Sequence, residues 1–310
     1  MTKKISVLVF TLLVIVFAAS LFIGPAASSR DIVLNLRFPR VFQGVIVGSA
    51  LACAGVIFQG VLKNPLADPY ILGTSSGALL GVVIFQISGL KNPFLFYTSV
   101  FFFALLATLT SYFIARYRGR VGNVDLILSG VIVSAFLGAV ILFFLCLSQE
   151  NALNILFFMM GGLYETDKTV LLIVLILVSG GISLILPLSR YLDIFAVGEE
   201  KAGILGINTE KYKFIFLVVA SGITSFVVAI SGTIGFIGLI VPHLARALIG
   251  PKHFSLIILS AMGGGFVLIF ADALARSIAP PLDIPVGIIT ALFGAPFFLY
   301  LLVKKRRNIF

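Results

Sequence analysis

Residues 41–62 read VFQGVIVGSALACAGVIFQGVL, twenty-two residues without one charged side chain. As an α-helix this stretch is roughly 33 Å long, about the ~30 Å thickness of a bilayer's hydrocarbon core. Nine further runs have the same character, some of them marginal: Ile5–Ile23, Tyr70–Leu90, Phe94–Ala115, Leu126–Leu147, Val170–Leu188, Phe214–Ser231, Thr233–Ile249, Phe254–Ala275 and Pro285–Val303. The eighth run of the ten is short and carries His243 and Arg246 at its end. Composition agrees. Of 310 residues, 60% are hydrophobic and 11% charged, against roughly 45–50% and about 25% in soluble domains. Mean hydropathy is +1.18. A soluble enzyme, a disordered chain and a nucleic-acid-binding domain are excluded. The expected fold is an all-α integral membrane protein, one domain over residues 1–310, with about ten transmembrane helices in a compact bundle.

The net charge of +10 fits Lys and Arg collecting on cytoplasmic loops, which are hard to translocate. With the N-terminus in the cytoplasm and ten crossings, sixteen of the 22 Lys and Arg fall inside and six outside. Both termini are therefore expected in the cytoplasm. The first run follows Lys3 and Lys4 and precedes Pro25-Ala26-Ala27 like a signal peptide. Its apolar stretch exceeds the roughly 7–15 residues of a signal h-region, so a retained helix is expected. The apolar stretch Leu153–Leu163 is too short to cross. It is expected as an external interfacial helix ended by Gly161-Gly162. Small residues at Gly44/Gly48, Gly77/Gly81 and Gly130/Ser134/Gly138 have the spacing that lets helices approach closely. The two halves of five helices would run in opposite senses, as inverted repeats do, although their sequence similarity is too faint to establish it. Cys53 and Cys146 lie inside apolar runs without metal spacing and read as packing residues.

Charge within the membrane is expensive and marks function. Asp272 and Arg276 stand four apart near the outer end of the ninth run, spaced to meet on one helix face. Their readings are a local ion pair or an arginine offered to a partner. No acidic or histidine relay of the kind used by ion-coupled carriers crosses the helices; Ser76, Ser129 and Ser134 offer only a weakly polar lining. Such a pathway needs an outside energy source. None is in this chain, which lacks the G-x-x-x-x-G-K-[ST] loop that cradles nucleotide phosphates and has no Gly-Lys dipeptide. The rival readings are an ion-coupled secondary carrier, an intramembrane enzyme using His243 and Asp272, and a scaffold or receptor. Two loops stand out. The internal segment of about 190–213 is amphipathic, and Gly198-Glu-Glu-Lys-Ala202 reads as a short helix start with carboxylates at its favourable N-terminal dipole. Ile204, Leu205 and Ile207 need a cover, from the bundle or from a docked partner. The external Arg37-Phe-Pro-Arg40 places two cations where positive charge is disfavoured; an anionic partner or lipid headgroups would explain them.

These segments resemble the permease subunits of type II ABC importers for iron-siderophore complexes, haem and cobalamin. The matching residues are Arg37-Phe-Pro-Arg40, Gly48–Gly55, Gln59, Asn64-Pro-Leu-Ala-Asp-Pro69, Leu72-Gly73, Ser76-Gly77-Ala78, Gly198–Ala202 with Leu205-Gly206, Gly235–His243 with Arg246, Asp272, Arg276, Pro285-Val-Gly287 and Gly294-Ala-Pro296. The resemblance implies a homodimeric permease in the cytoplasmic (inner) membrane, no enzyme itself, with no cofactor of its own. Two ATP-binding subunits carrying ATP and Mg would dock from the cytoplasm on Gly198, Glu199, Glu200, Ala202, Leu205 and Gly206. A solute-binding protein would dock outside on Arg37, Arg40 and Arg276. The expected cargo is a ferric siderophore, with cobalamin or haem as alternatives. Two departures stand out: Met159-Met160-Gly161-Gly162 lacks a frequent Trp, and Asp283-Ile-Pro285 replaces Glu-Leu-Pro.

Overall fold

The computed structural model describes residues 2–24, 29–117, 120–147, 152–204, 206–278 and 282–307. Helix α1 (Thr2–Ser20) precedes a short turn α2 (Arg30–Ile32), a π-turn (Val33–Arg37) and α3 (Phe38–Leu62), which run on as one rod. Then follow α4 (Thr74–Ile87), α5 (Pro93–Ala115), a two-residue hairpin of β1 (Arg116–Tyr117) and β2 (Arg120–Val121), and α6 (Asn123–Leu147). The second half holds α7 (Ala152–Met160), α8 (Lys168–Val197), α9 (Glu199–Ile204), α10 (Thr209–Ser231), α11 (Ile237–Ile249), α12 (His253–Ile278) and α13 (Val286–Arg307). Among the described residues six helices are long and apolar enough to span a bilayer, and four shorter apolar ones make up the expected ten. Apolar side chains such as Leu128, Val131 and Phe136 of α6 stay exposed, as a lipid-solvated surface requires.

The core forms around α3. It packs most extensively on α12, antiparallel to it, and then on α10. The contact with α12 is set by glycine: a Cβ on Gly48 would collide with the carbonyl of Gly264, and one on Gly264 with that of Gly48. Gly77 and Gly81 seat α4 on the backbone of α5 in the same way, while Gly138 faces open space. Neighbours repeat between the halves. α4 lies on α5 and α10; α11 lies on α12 and α3. The third helix of each half is the short one, as expected of related inverted units.

Those two helices depart from the sequence expectation. The run from Tyr70 starts its helix only at Thr74, and the run from Thr233 only at Ile237. Pro69 fits against Gly238, whose own carbonyl lies against Gly55, so α4 and α11 both begin level with the middle of α3. Gly73 (φ 84°) and Phe236 (φ 70°) turn the chain into each helix through the left-handed region. For Phe236 that conformation costs of order 1–3 kcal/mol; its ring packs where a side chain on Gly294 of α13 would have to go. Buried non-helical backbone must find partners. The Ser111 hydroxyl donates to the Leu72 carbonyl at 2.9 Å. The Tyr70 hydroxyl donates to the Ile234 carbonyl at 3.2 Å and accepts from the Ile234 N–H at 3.1 Å. One side chain thus stitches the two non-helical lead-ins together. α8 also exceeds its predicted run, continuing through Pro187 to Val197, so residues 190–197 of the expected loop are its last two turns.

Candidate functional site

At the end of the bundle where α3 starts and α12 finishes, three arginines and two aspartates converge. Asp272 is completely buried, and each of its carboxylate oxygens takes one guanidinium. Oδ1 accepts from Arg40 Nε at 3.0 Å and Nη2 at 2.9 Å; Oδ2 accepts from Arg276 Nε at 3.0 Å. The predicted Asp272–Arg276 pair therefore forms, with Arg40 as a third member. Arg40 also grips Asp283, Nη1 to Oδ2 at 2.7 Å and Nη2 to Oδ1 at 3.0 Å. Arg276 spends its remaining donors on α1 and the turn after it, reaching the Ile23 carbonyl at 2.7 Å and the Ser20 carbonyl at 3.3 Å. Arg37 donates to the Leu21 carbonyl at 3.1 Å.

The cluster turns two of the three arginines inward. Arg37 and Arg276, read as outward-facing cations, are each 6% exposed. The physical reason is local: α1 ends at this level, and the carbonyls of its last residue and of the turn after it have no helical N–H donors, so the guanidinium groups donate to them instead. Arg40 keeps 21% of its side chain exposed. Beside it lies a recess of about 660 Å³ lined by Arg37, Arg40, Gln43, Tyr164, Asp167 and Lys168, among others. Residues 163–169 form one wall, and the chain leading into them is anchored at Gly161 and Gly162. It is held by Gly162 N–H to the Ser231 carbonyl (2.8 Å) and by Gly287 N–H to the Gly161 carbonyl (3.0 Å). α7 ends at Gly161, whose φ of 66° turns the chain. Asp167 caps α8, and the Thr169 backbone N–H holds its carboxyl below the usual carboxylate range.

The opposite end carries α9. Gly198 (φ 138°) and Gly206 (φ 74°) bracket it. Ala202 is fully buried in the core, whereas Ile204 is 85% exposed. Ile207 packs partly against the core. Leu205 and the side chains of Glu199 and Glu200 lie outside the described residues. Two supports here were not foreseen. Asp193, one turn and a half before α9, accepts from the His253 backbone N–H at 3.0 Å and meets its ring Nδ1 at 2.6 Å. Lys213 donates to the Val121 carbonyl at 2.9 Å while Glu210 accepts from the Val121 N–H at 3.1 Å, which fixes the hairpin to α10.

The three serines separate. Ser129 is 3% exposed and donates to the Ser111 carbonyl at 2.8 Å, so it serves the contact of α6 with α5. Ser134 lies against Gly73 at the start of α4, and Ser76 is half-buried in the first turn of that helix. Residues 73–77, Gly-Thr-Ser-Ser-Gly, spell the G-x-S-x-G pattern of a hydrolase elbow, but that elbow needs a strand before its helix. Here the preceding residues are turns. Asp272 is saturated by two arginines, and His243 sits on α11, with its ring beside Phe298 of α13.

A backbone that interrupts its helices at mid-depth, and ties the interruptions together through buried hydrogen bonds, is the build of a multi-pass membrane transporter. The chain belongs to the FecCD transport family, which matches residues 4–304. It is similar to the cobalamin import system permease protein BtuC of Halobacterium salinarum, 40% identical over 294 residues, covering 94% of this chain and 78% of the relative. The hemin transport system permease protein HmuU of Yersinia pestis is 38% identical over 280 residues, covering 89% and 84%. A solved ABC transporter assigned to the metal-chelate type, in an inward-facing conformation, superposes with a TM-score of 0.90 at 30% identity, covering 98% of this chain and 100% of that one.

Proposed function

We propose that this chain is the permease of an ATP-driven importer for a bulky metal chelate, a ferric siderophore in the first instance, with cobalamin or haem as the alternative cargo. It works as a homodimer in the cytoplasmic membrane. Both termini and α9 face the cytoplasm, where two ATP-binding subunits supply ATP and Mg. The arginine end faces outward and receives a solute-binding protein on Arg40, with Arg37 and Arg276 holding that surface in shape. Ser76 and Ser134, at the mid-depth start of α4, are the pathway side chains. The observation that carries the reading is α9: a six-residue helix closed by two glycines, with one face in the core at Ala202 and Ile204 bare to solvent. A helix so placed transmits a push from a docked subunit to α8 and α10 as rigid-body motion.

The test is uptake of a ferric siderophore, cobalamin or haem into proteoliposomes holding the complete importer. ATP-dependent uptake that persists without an ion gradient is expected. Replacing Glu199 and Glu200 by Ala should leave ATP hydrolysis and abolish uptake. Uptake driven by a proton or sodium gradient without ATP would overturn the proposal.

A further inference from the structure

Arg40 is already occupied. Four of its five N–H groups are used, two toward Asp272 and two toward Asp283. The two aspartates differ in kind. Asp272 is completely buried and shared with Arg276, while the side chain of Asp283 is 60% exposed. Asp283 stands in the non-helical residues 282–285 that lead into α13, and it presents both oxygens to the outer edge of the guanidinium. A carboxylate from outside has one fork through which to bind this arginine, and Asp283 holds it.

We propose that Asp283 is a resident stand-in for the carboxylate of the docking protein: an incoming Asp or Glu binds Arg40 by displacing Asp283. This rests on the reading of Arg40 as a docking residue. The exchange is cheap, because water reaches the Asp283 pair and exposed ion pairs are weak. The buried Asp272 remains in place throughout and keeps the guanidinium aimed. Asp283 therefore lowers docking affinity and shortens the complex's life, which suits a delivery partner that must leave after each cycle. It also ties docking to the chain before α13, since residues 282–285 lose their anchor when the partner arrives.

The experiment uses the importer with its ATP-binding subunits in nanodiscs and the host's solute-binding protein for ferric siderophores, with docking affinity measured at low and physiological salt. Asp283→Asn should bind up to about fivefold more tightly at low salt, the worth of one exposed pair. Asp283→Glu should stay near wild type, and Arg40→Lys, which keeps the charge that Asp272 needs but loses the fork, should bind more weakly. A partner-independent reading accompanies it: labelling of Arg40 by p-hydroxyphenylglyoxal, followed by peptide mass spectrometry, should be several times faster in Asp283→Asn. If Arg40→Lys weakens docking while Asp283→Asn is neutral or weaker, Asp283 belongs to the docking surface itself and the stand-in role is overturned. If Arg40→Lys docks like wild type, the docking role of Arg40 falls first, and the stand-in role with it.

Discussion

Replacing Asp272 by Asn tests the arginine cluster most severely. Asp272 has no exposed surface, and each oxygen compensates one guanidinium, of which Arg276 is itself nearly buried. Removing one partner of a buried pair costs about 3–5 kcal/mol, because a charge is left without compensation. Asn retains one carbonyl acceptor, so the lower part of that range, about 3 kcal/mol, is expected. For a chain this long, 1 kcal/mol corresponds to roughly 2 °C in Tm, so the melting point should fall by about 6 °C. The protein carries its own reporter: Cys53 is fully buried in α3, against α12, whereas Cys146 is exposed. A thiol-reactive dye on the Cys146→Ser background then reads unfolding through Cys53 alone. Asp283→Asn removes the same charge from an exposed position and should shift Tm by less than about 2 °C. Equal shifts for the two variants, or none for Asp272→Asn, would refute the assignment of Asp272 as the buried keystone.

Gly48→Leu should abolish monodisperse protein in detergent, since the Gly264 carbonyl occupies the space of its Cβ, while Gly138→Leu should elute normally on size exclusion. Asp193→Ala removes the acceptor that caps α12 at His253 and should cost about 1 kcal/mol, read as a small drop in Tm with wild-type monomer packing. The lowered carboxyl of Asp167 makes its cap fully effective above the ordinary carboxylate pKa, and the contribution is lost as pH falls through the lowered value. Asp167→Asn should therefore flatten the loss of stability as pH falls below about 4, measured by thermal melts on the acid side.

Hydropathy made the ten apolar segments legible, because once the backbone is hydrogen-bonded, transfer into lipid is decided by side-chain polarity. It could not see where helices begin. The non-helical chain at Tyr70–Gly73 and Thr233–Phe236 is as apolar as helix, and only left-handed turns at Gly73 and Phe236 mark the change. Hydropathy also missed a helix end: the apolar run stops at Leu188, yet α8 continues through the polar Ser189-Arg190 to Val197. The pair Asp272–Arg276 was readable from its four-residue spacing. The pairing of Arg40 with Asp283 joins positions 243 apart, and nothing local encodes it; Asp283 registered only as a shortened carboxylate in a motif. The burial of Arg37 and Arg276 likewise depends on where α1 ends in space, which composition does not fix.

Native mass spectrometry of the tagged chain, gently extracted from its own host, tests the central claim most directly. Two copies of this chain with two ATP-binding subunits are expected, joined by a solute-binding protein when loaded with its metal chelate. A chain that emerges alone, or as a bare dimer, under conditions that keep an established ABC importer intact would contradict that claim.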